Sequence, residues 1–125
     1  MPQQVINLEG HDHPQASPLG CKIGPLFSSG AITGKDLDTG TMPPDAETQA
    51  RNAFINMKRL LAKAGMGIED VAKLTIYLKD EQHREIAIKH WALAFPDPNH
   101  RPTRRTLIAP FHFGVIQVEI IAYKE

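Results

Sequence analysis

Apolar residues recur at Ala46, Ala50, Ala53, Phe54, Met57, Leu60, Leu61 and Ala64. Those spacings of three and four predict an amphipathic helix. Two prolines and then Asp45, a good N-cap residue, precede it, and Gly65 follows as a stop. Lys58, Arg59 and Lys63 lie late in it, where positive charge suits the helix dipole. The rhythm then changes to period two in DVAKLTIYLK. Ala72, Leu74, Ile76 and Leu78 form an apolar face, and Lys73, Thr75 and Tyr77 a mixed one, which predicts a strand. Residues 81–95 predict a second helix, with Ile86, His90 or Trp91, and Ala94 or Phe95 sharing a stripe. Pro96 and Pro98 stop it, and strands near 103–109 and 115–123 close the chain.

The first 45 residues hold six of the ten prolines, with short apolar runs between them. QVIN predicts a short strand, and LGCKIG and LFSSGAI a hairpin turning at Gly24-Pro25. TGKDLDTGTMPPD is a loop. The predicted order is β-β-β-α-β-α-β-β, an α+β fold with one mixed sheet and both helices on one face. No repeat of fixed period and no low-complexity tract divides the chain, so residues 1–125 form a single domain.

The last strand separates the two faces. Ile116, Val118, Ile120 and Ala122 make a fully apolar face, suited to covering the helices. Val115, Gln117, Glu119, Ile121 and Tyr123 make a half-apolar face, which suits a subunit interface or a cleft. A solvated outer face is the alternative. The strand near 103–109 carries two adjacent arginines in RPTRRTLIAP, and adjacent residues on a strand point to opposite faces. With Leu107 and Ala109 taken as core, Arg105 falls on the core parity. Arg104, Thr106 and Ile108 then fall on the other face, beside Gln117. The planar fork of Arg104 can grip a carboxylate with two charge-assisted hydrogen bonds, or pair with an acidic side chain across an interface.

Composition narrows the function classes. At 125 residues the chain buries roughly two-thirds of its unfolded surface, so its stability requires neither metal nor disulfide. Lys plus Arg equals Asp plus Glu, 14 each, without a basic stripe, which argues against a nucleic-acid partner and an RNA-directed role. The neutral charge permits an oligomer. Cys21 is the single cysteine, which favours a reducing compartment, and its strand setting suits an inert thiol. MPQQVINLEG has neither a basic nor a long apolar stretch, so no signal peptide is expected. GVIQVEIIAY, interrupted by Gln117 and Glu119, is too short to cross a bilayer. A cytoplasmic protein without a membrane partner is the expectation.

Several stretches, in this order, resemble the RidA/YjgF (endoribonuclease L-PSP-like) family of imine and enamine deaminases. They are Ser29-Gly30 with Ile32, DAETQARNAFINMKRLLAKAG, DVAKLTIYLKD, RPTR at 101–104 and VEIIAY at 118–123. The resemblance covers roughly Pro18 to Tyr123. It implies a chorismate-mutase-like (RidA-like) fold and a homotrimer whose sheets line a central barrel, with active sites in clefts between subunits. It implies a hydrolase that needs no metal or organic cofactor. Arg104, in Pro102-Thr103-Arg104, would bind the carboxylate of a small imino acid tautomerising from a 2-aminoacrylate-like enamine. Water would add to the C=N carbon, giving a 2-oxo acid and ammonia. The resemblance places Leu19, Ser29, Gly30, Arg104 and Thr106 at the substrate, with Arg104 and Gln117 catalytic.

The chain departs from the family pattern at four positions. Leu19 replaces a tyrosine, Gln117 a glutamate that helps handle the water, Thr106 a cysteine and Ile88 an asparagine. Gln117 cannot act as an acid or base, but it can hydrogen-bond and orient a water. The ending VIQVEIIAYK also resembles 2-aminomuconate deaminases, implying a dicarboxylate enamine. The alternative is a trimer of the same fold that binds 2-oxo or amino acids without turnover. His112 in PFHFG either lines the cleft as a substrate-binding proton shuttle or is a plain loop histidine. His11-x-His13 reads as a loop or tag-like element, and His83 and His90, seven apart, lack a third ligand, so no metal site is expected.

Overall fold

The structure, a computed structural model, describes residues 2–11 and 17–125. Seven strands form one sheet: β1 (Gln4–Ile6), β2 (Gly20–Ile23), β3 (Leu26–Ser29), β4 (Ile32–Thr33), β5 (Val71–Leu78), β6 (Thr103–Ile108) and β7 (Ile116–Tyr123). Two helices, α1 (Ala46–Lys63) and α2 (Arg84–Ala94), pack against it. The strand order is β1-β2-β3-β7-β5-β6, and β4 also pairs with β7. All pairings are antiparallel except β5–β6, which α2 joins as a crossover. This is the predicted α+β order, with one change. LFSSGAI is two strands, because residues 30–31 break the run and only Ile32 and Thr33 rejoin β7.

Local chemistry explains the elements. The Asp45 carboxylate accepts the Thr48 N–H at 2.9 Å and the Thr48 hydroxyl at 2.7 Å, capping α1. Those two bonds hold the Asp45 carboxyl below its usual value. The β2–β3 hairpin turns at Gly24, whose φ of 56° lies in the left-handed region. Ile23 and Leu26 face each other across that turn.

The core lies between the sheet and the helices. Leu74, Ile76 and Leu78 of β5 and Ile116, Val118, Ile120 and Ala122 of β7 are buried there with Ala53, Phe54, Met57 and Leu60 of α1. At the start of β5 the alternation slips, since a bulge between Val71 and Lys73 buries Val71 and exposes Ala72. Buried polar residues on α1 fasten the β4 region. Asn56 donates to the carbonyls of Thr33 (3.0 Å) and Lys35 (2.9 Å), and Gln49 accepts the Val115 N–H at 2.7 Å. Gly34 passes so close to α1 that an added Cβ would overlap the Gln49 carbonyl. Gly34→Ala should therefore lower the melting temperature, costing about 1–3 kcal/mol or more. Gly30→Ala meets only ordinary contacts, 3.8 Å to the Leu19 carbonyl, and should shift stability by less than about 0.5 kcal/mol in the same melt.

The parity expected for the two arginines is reversed. The β5–β6 register aligns Arg104 with Leu74, Thr106 with Ile76 and Ile108 with Leu78. Those partners point into the core, so Arg104 and Thr106 lie on the helix side of the sheet. Arg105 and Leu107 align with Thr75 and Tyr77 on the open face. The reason is that β6 is an edge strand. Its helix side is only partly covered, by α2, so polar residues are tolerated there, while Leu107 belongs to the half-apolar open face.

His11 also differs from its expected role in a free loop. It is buried, and its Nε2 accepts the Thr33 N–H at 3.0 Å, while His13 lies outside the described residues. His90 is buried and bonds Glu47 at 2.9 Å, bracing α2 on α1, and His83 is half-buried. No helix among the described residues is long and apolar enough to cross a membrane.

Candidate functional site

Two places on the sheet carry the chemistry. The first is the outer edge, at β6. The Arg104 guanidinium lies over the Trp91 ring of α2, 4.3 Å from its centroid. Arg101, just before the strand, lies 4.7 Å from the same centroid, and its Nε donates to the Phe95 carbonyl at 2.7 Å. Thr106, two residues beyond Arg104, shares its face. Thr106 Oγ1 and Trp91 Nε1 are both buried and lack a hydrogen-bond partner among the described residues. Among the described residues no carboxylate pairs with Arg101 or Arg104 either.

The second place is the open face, where the β3–β4 break leaves a cavity of about 200 Å³ against β7. Ser28, Ser29, Lys73, Thr75, Glu119 and Ile121 line it. The Ser29 hydroxyl accepts the Ile120 N–H at 2.9 Å and donates to the Gly30 carbonyl at 2.9 Å. Beside the cavity the Tyr77 hydroxyl donates to Glu119 at 2.8 Å. That bond, with burial and the carboxylate's charge, raises the Tyr77 pKa, against a smaller lowering by Arg105.

The predicted site residues are thus divided. Arg104 and Thr106 sit together at the edge. Ser29 and Gly30 sit across the sheet, and Ser29, Ile120, Leu74 and Arg104 fall on one row. Three strand spacings, about 14 Å, separate its ends. Gln117 lies between Thr33 and Tyr77, on the face opposite Arg104. Leu19, expected at the substrate, has its side chain in the core, and only its carbonyl reaches the region, accepting the Gly30 N–H at 2.7 Å. His112 is exposed in the loop before β7. Sequence reasoning missed Trp91, Arg101 and the Tyr77–Glu119 pair. Trp91 is the only tryptophan, but as one of several apolar residues on α2 it carries no signal of a stacked arginine.

The family model described as Endoribonuclease L-PSP matches residues 20–123. The chain belongs to the RidA/YjgF family. A RutC family protein of Pasteurella multocida (strain Pm70) is 30% identical to this family member over 104 residues, covering 79% of each chain. The 2-iminobutanoate/2-iminopropanoate deaminase of Escherichia coli (strain K12) is 38% identical over 61 residues, covering 49% of this chain. That alignment spans 48% of the deaminase, about half its length, as does the alignment to a Haemophilus influenzae RutC family protein. The crystal structure of E. coli TdcF with bound serine aligns at a TM-score of 0.86 and 22% identity, covering 98% of this chain and 99% of that one. At that identity the likeness establishes the RidA/YjgF fold alone.

Proposed function

We propose that the protein is a cofactor-free hydrolytic deaminase of reactive enamines and imines that carry a carboxylate, working in the cytoplasm as a homotrimer. The observation that carries this reading is Arg104, a guanidinium over the Trp91 ring with no carboxylate partner among the described residues. Its fork is free to donate two parallel hydrogen bonds to a substrate carboxylate. Membership of a family whose E. coli relative is named an iminobutanoate and iminopropanoate deaminase supports the chemistry.

The reaction needs little from the protein. Binding at Arg104 orients the imine and draws electron density from the adjacent C=N carbon. Water adds to that carbon, one water proton passes to the imine nitrogen, and a carbinolamine forms. Collapse expels ammonia and leaves a 2-oxo acid. Gln117, on the face opposite Arg104 in its own chain, would reach the water only from a neighbouring subunit, where it can orient it but cannot take its proton. Because Ser29–Gly30 and Arg104 lie about 14 Å apart in one chain, a small substrate would meet both only across a boundary between subunits. The apolar residues exposed on the open face, Val5, Ile23, Leu26, Ile121 and Tyr123, supply a surface for that assembly.

Gln117 favours one other reading, a trimer that binds 2-oxo or amino acids without turnover. Semicarbazide trapping separates the two. A dehydratase generates 2-aminoacrylate from serine, and semicarbazide captures the imine that survives. A deaminase lowers the semicarbazone yield as protein is added. An unchanged yield across several precursor amino acids would leave the binding reading alone.

A further inference from the structure

Arg101 and Arg104 press on one indole, and both guanidiniums lack an acidic partner among the described residues. Two like charges so placed repel each other, and the π face of the ring offsets part of that cost. Arg101 feels Asp97, but that carboxylate is occupied by the Asn99 N–H and by His100. The Arg101 Nε is occupied by the Phe95 carbonyl, which fixes the side chain and leaves its terminal nitrogens as donors. Trp91 Nε1 and Thr106 Oγ1 add two buried, unpartnered polar groups to the same flank.

We infer that Trp91 is the positioning residue of the Arg104 site, and that Arg101, stacked on the same ring, is a specificity determinant favouring ligands with a second carboxylate. The inference rests on the proposed role of Arg104 as a carboxylate binder. Trp91 holds the Arg104 guanidinium over its ring, so binding does not have to freeze a free arginine. A monocarboxylate uses Arg104 and leaves Arg101 idle. A short dicarboxylate engages both guanidiniums.

Calorimetric titration tests this with pyruvate and 2-oxobutanoate against oxaloacetate and 2-oxoglutarate. Quenching of Trp91, the only tryptophan, reports whether a ligand reaches the ring. The dicarboxylates should bind about tenfold more tightly or better. Arg101→Gln, which keeps a donor for the Phe95 carbonyl, should erase that advantage and leave monocarboxylate affinity within about twofold. Trp91→Ala should weaken all four ligands about tenfold, and Trp91→Phe, which restores a ring face, should recover most of the loss. Melting curves confirm that each variant is folded before titration. Equal affinities for the two ligand classes in the unaltered protein would overturn the role of Arg101, as would Arg101→Gln weakening both classes alike. Full affinity in a folded Trp91→Ala would overturn the positioning role. If monocarboxylates bind and dicarboxylates gain nothing, only the Arg101 assignment falls. If no 2-oxo acid binds and no imine is consumed, the deaminase reading fails and takes this inference with it.

Discussion

Arg104→Ala should lower ligand affinity or turnover from about tenfold to over a hundredfold. The loss follows from removing charge-assisted hydrogen bonds worth roughly 1.5–3 kcal/mol each, with each 1.4 kcal/mol about a factor of ten. Arg104→Lys should also fail substantially, because an ammonium keeps the charge but neither the bidentate fork nor the guanidinium's contact with the Trp91 ring. Stability should change far less, since an exposed cation–π contact contributes only about 0.5–1 kcal/mol. Arg105→Ala is the control. Arg105 aligns with Thr75 on the open face, so ligand affinity at the edge should stay within about twofold. Titration of each variant with pyruvate or 2-oxobutanoate, with turnover measured in parallel, checks both expectations. A loss confined to Arg105→Ala would move the site to the open face, beside Tyr77 and Glu119.

The two arginines show what the sequence carried and what it did not. Helix α1 was legible because its apolar spacing, Asp45 cap and Gly65 stop agree, and local signals that agree rarely mislead. The hairpin at Gly24-Pro25 was legible for the same reason. In β7 the strict alternation of Ile116, Val118, Ile120 and Ala122 named the buried face correctly. Strand β6 offered no such contrast, since Leu107 and Ile108 are both apolar and lie on opposite faces. Its sidedness is fixed by pairing with β5, a relation between segments that neither segment states by itself. The β3–β4 break was hidden likewise, because LFSSGAI looks continuous until β7 pairs with its two ends separately. The motif Pro102-Thr103-Arg104 singled out a side chain that the pairing with β5 turns to the face opposite the expected one. Its supporting ring, Trp91, comes from another element and could be found only in three dimensions.

Ile121→Arg should convert the proposed trimer into monomers and abolish turnover while leaving the fold intact. In the single chain Ile121 is 42% exposed, so a charged residue there meets water and not the core. Across the strand it faces Ser28, on the other side it faces Lys73, and Leu26 and Tyr123 continue the same apolar surface. A second positive charge beside Lys73, repeated in every subunit, would oppose assembly through this face. Sedimentation should show the native mass falling from three times 13.9 kDa to 13.9 kDa, with an unchanged circular dichroism spectrum. Leu93→Arg serves as the comparison. Leu93 is more exposed still, at 63%, but it lies on α2, away from the open face, and its replacement should leave mass and activity as they were. Loss of turnover in the Ile121→Arg monomer follows from the row that runs from Ser29 to Arg104. Its ends are about 14 Å apart, too far for one small imine to touch both within a chain. A trimer that survives Ile121→Arg would show that the open face is solvated. A monomer that still deaminates would show that the edge cluster of Arg104, Trp91 and Thr106 suffices without a neighbouring subunit.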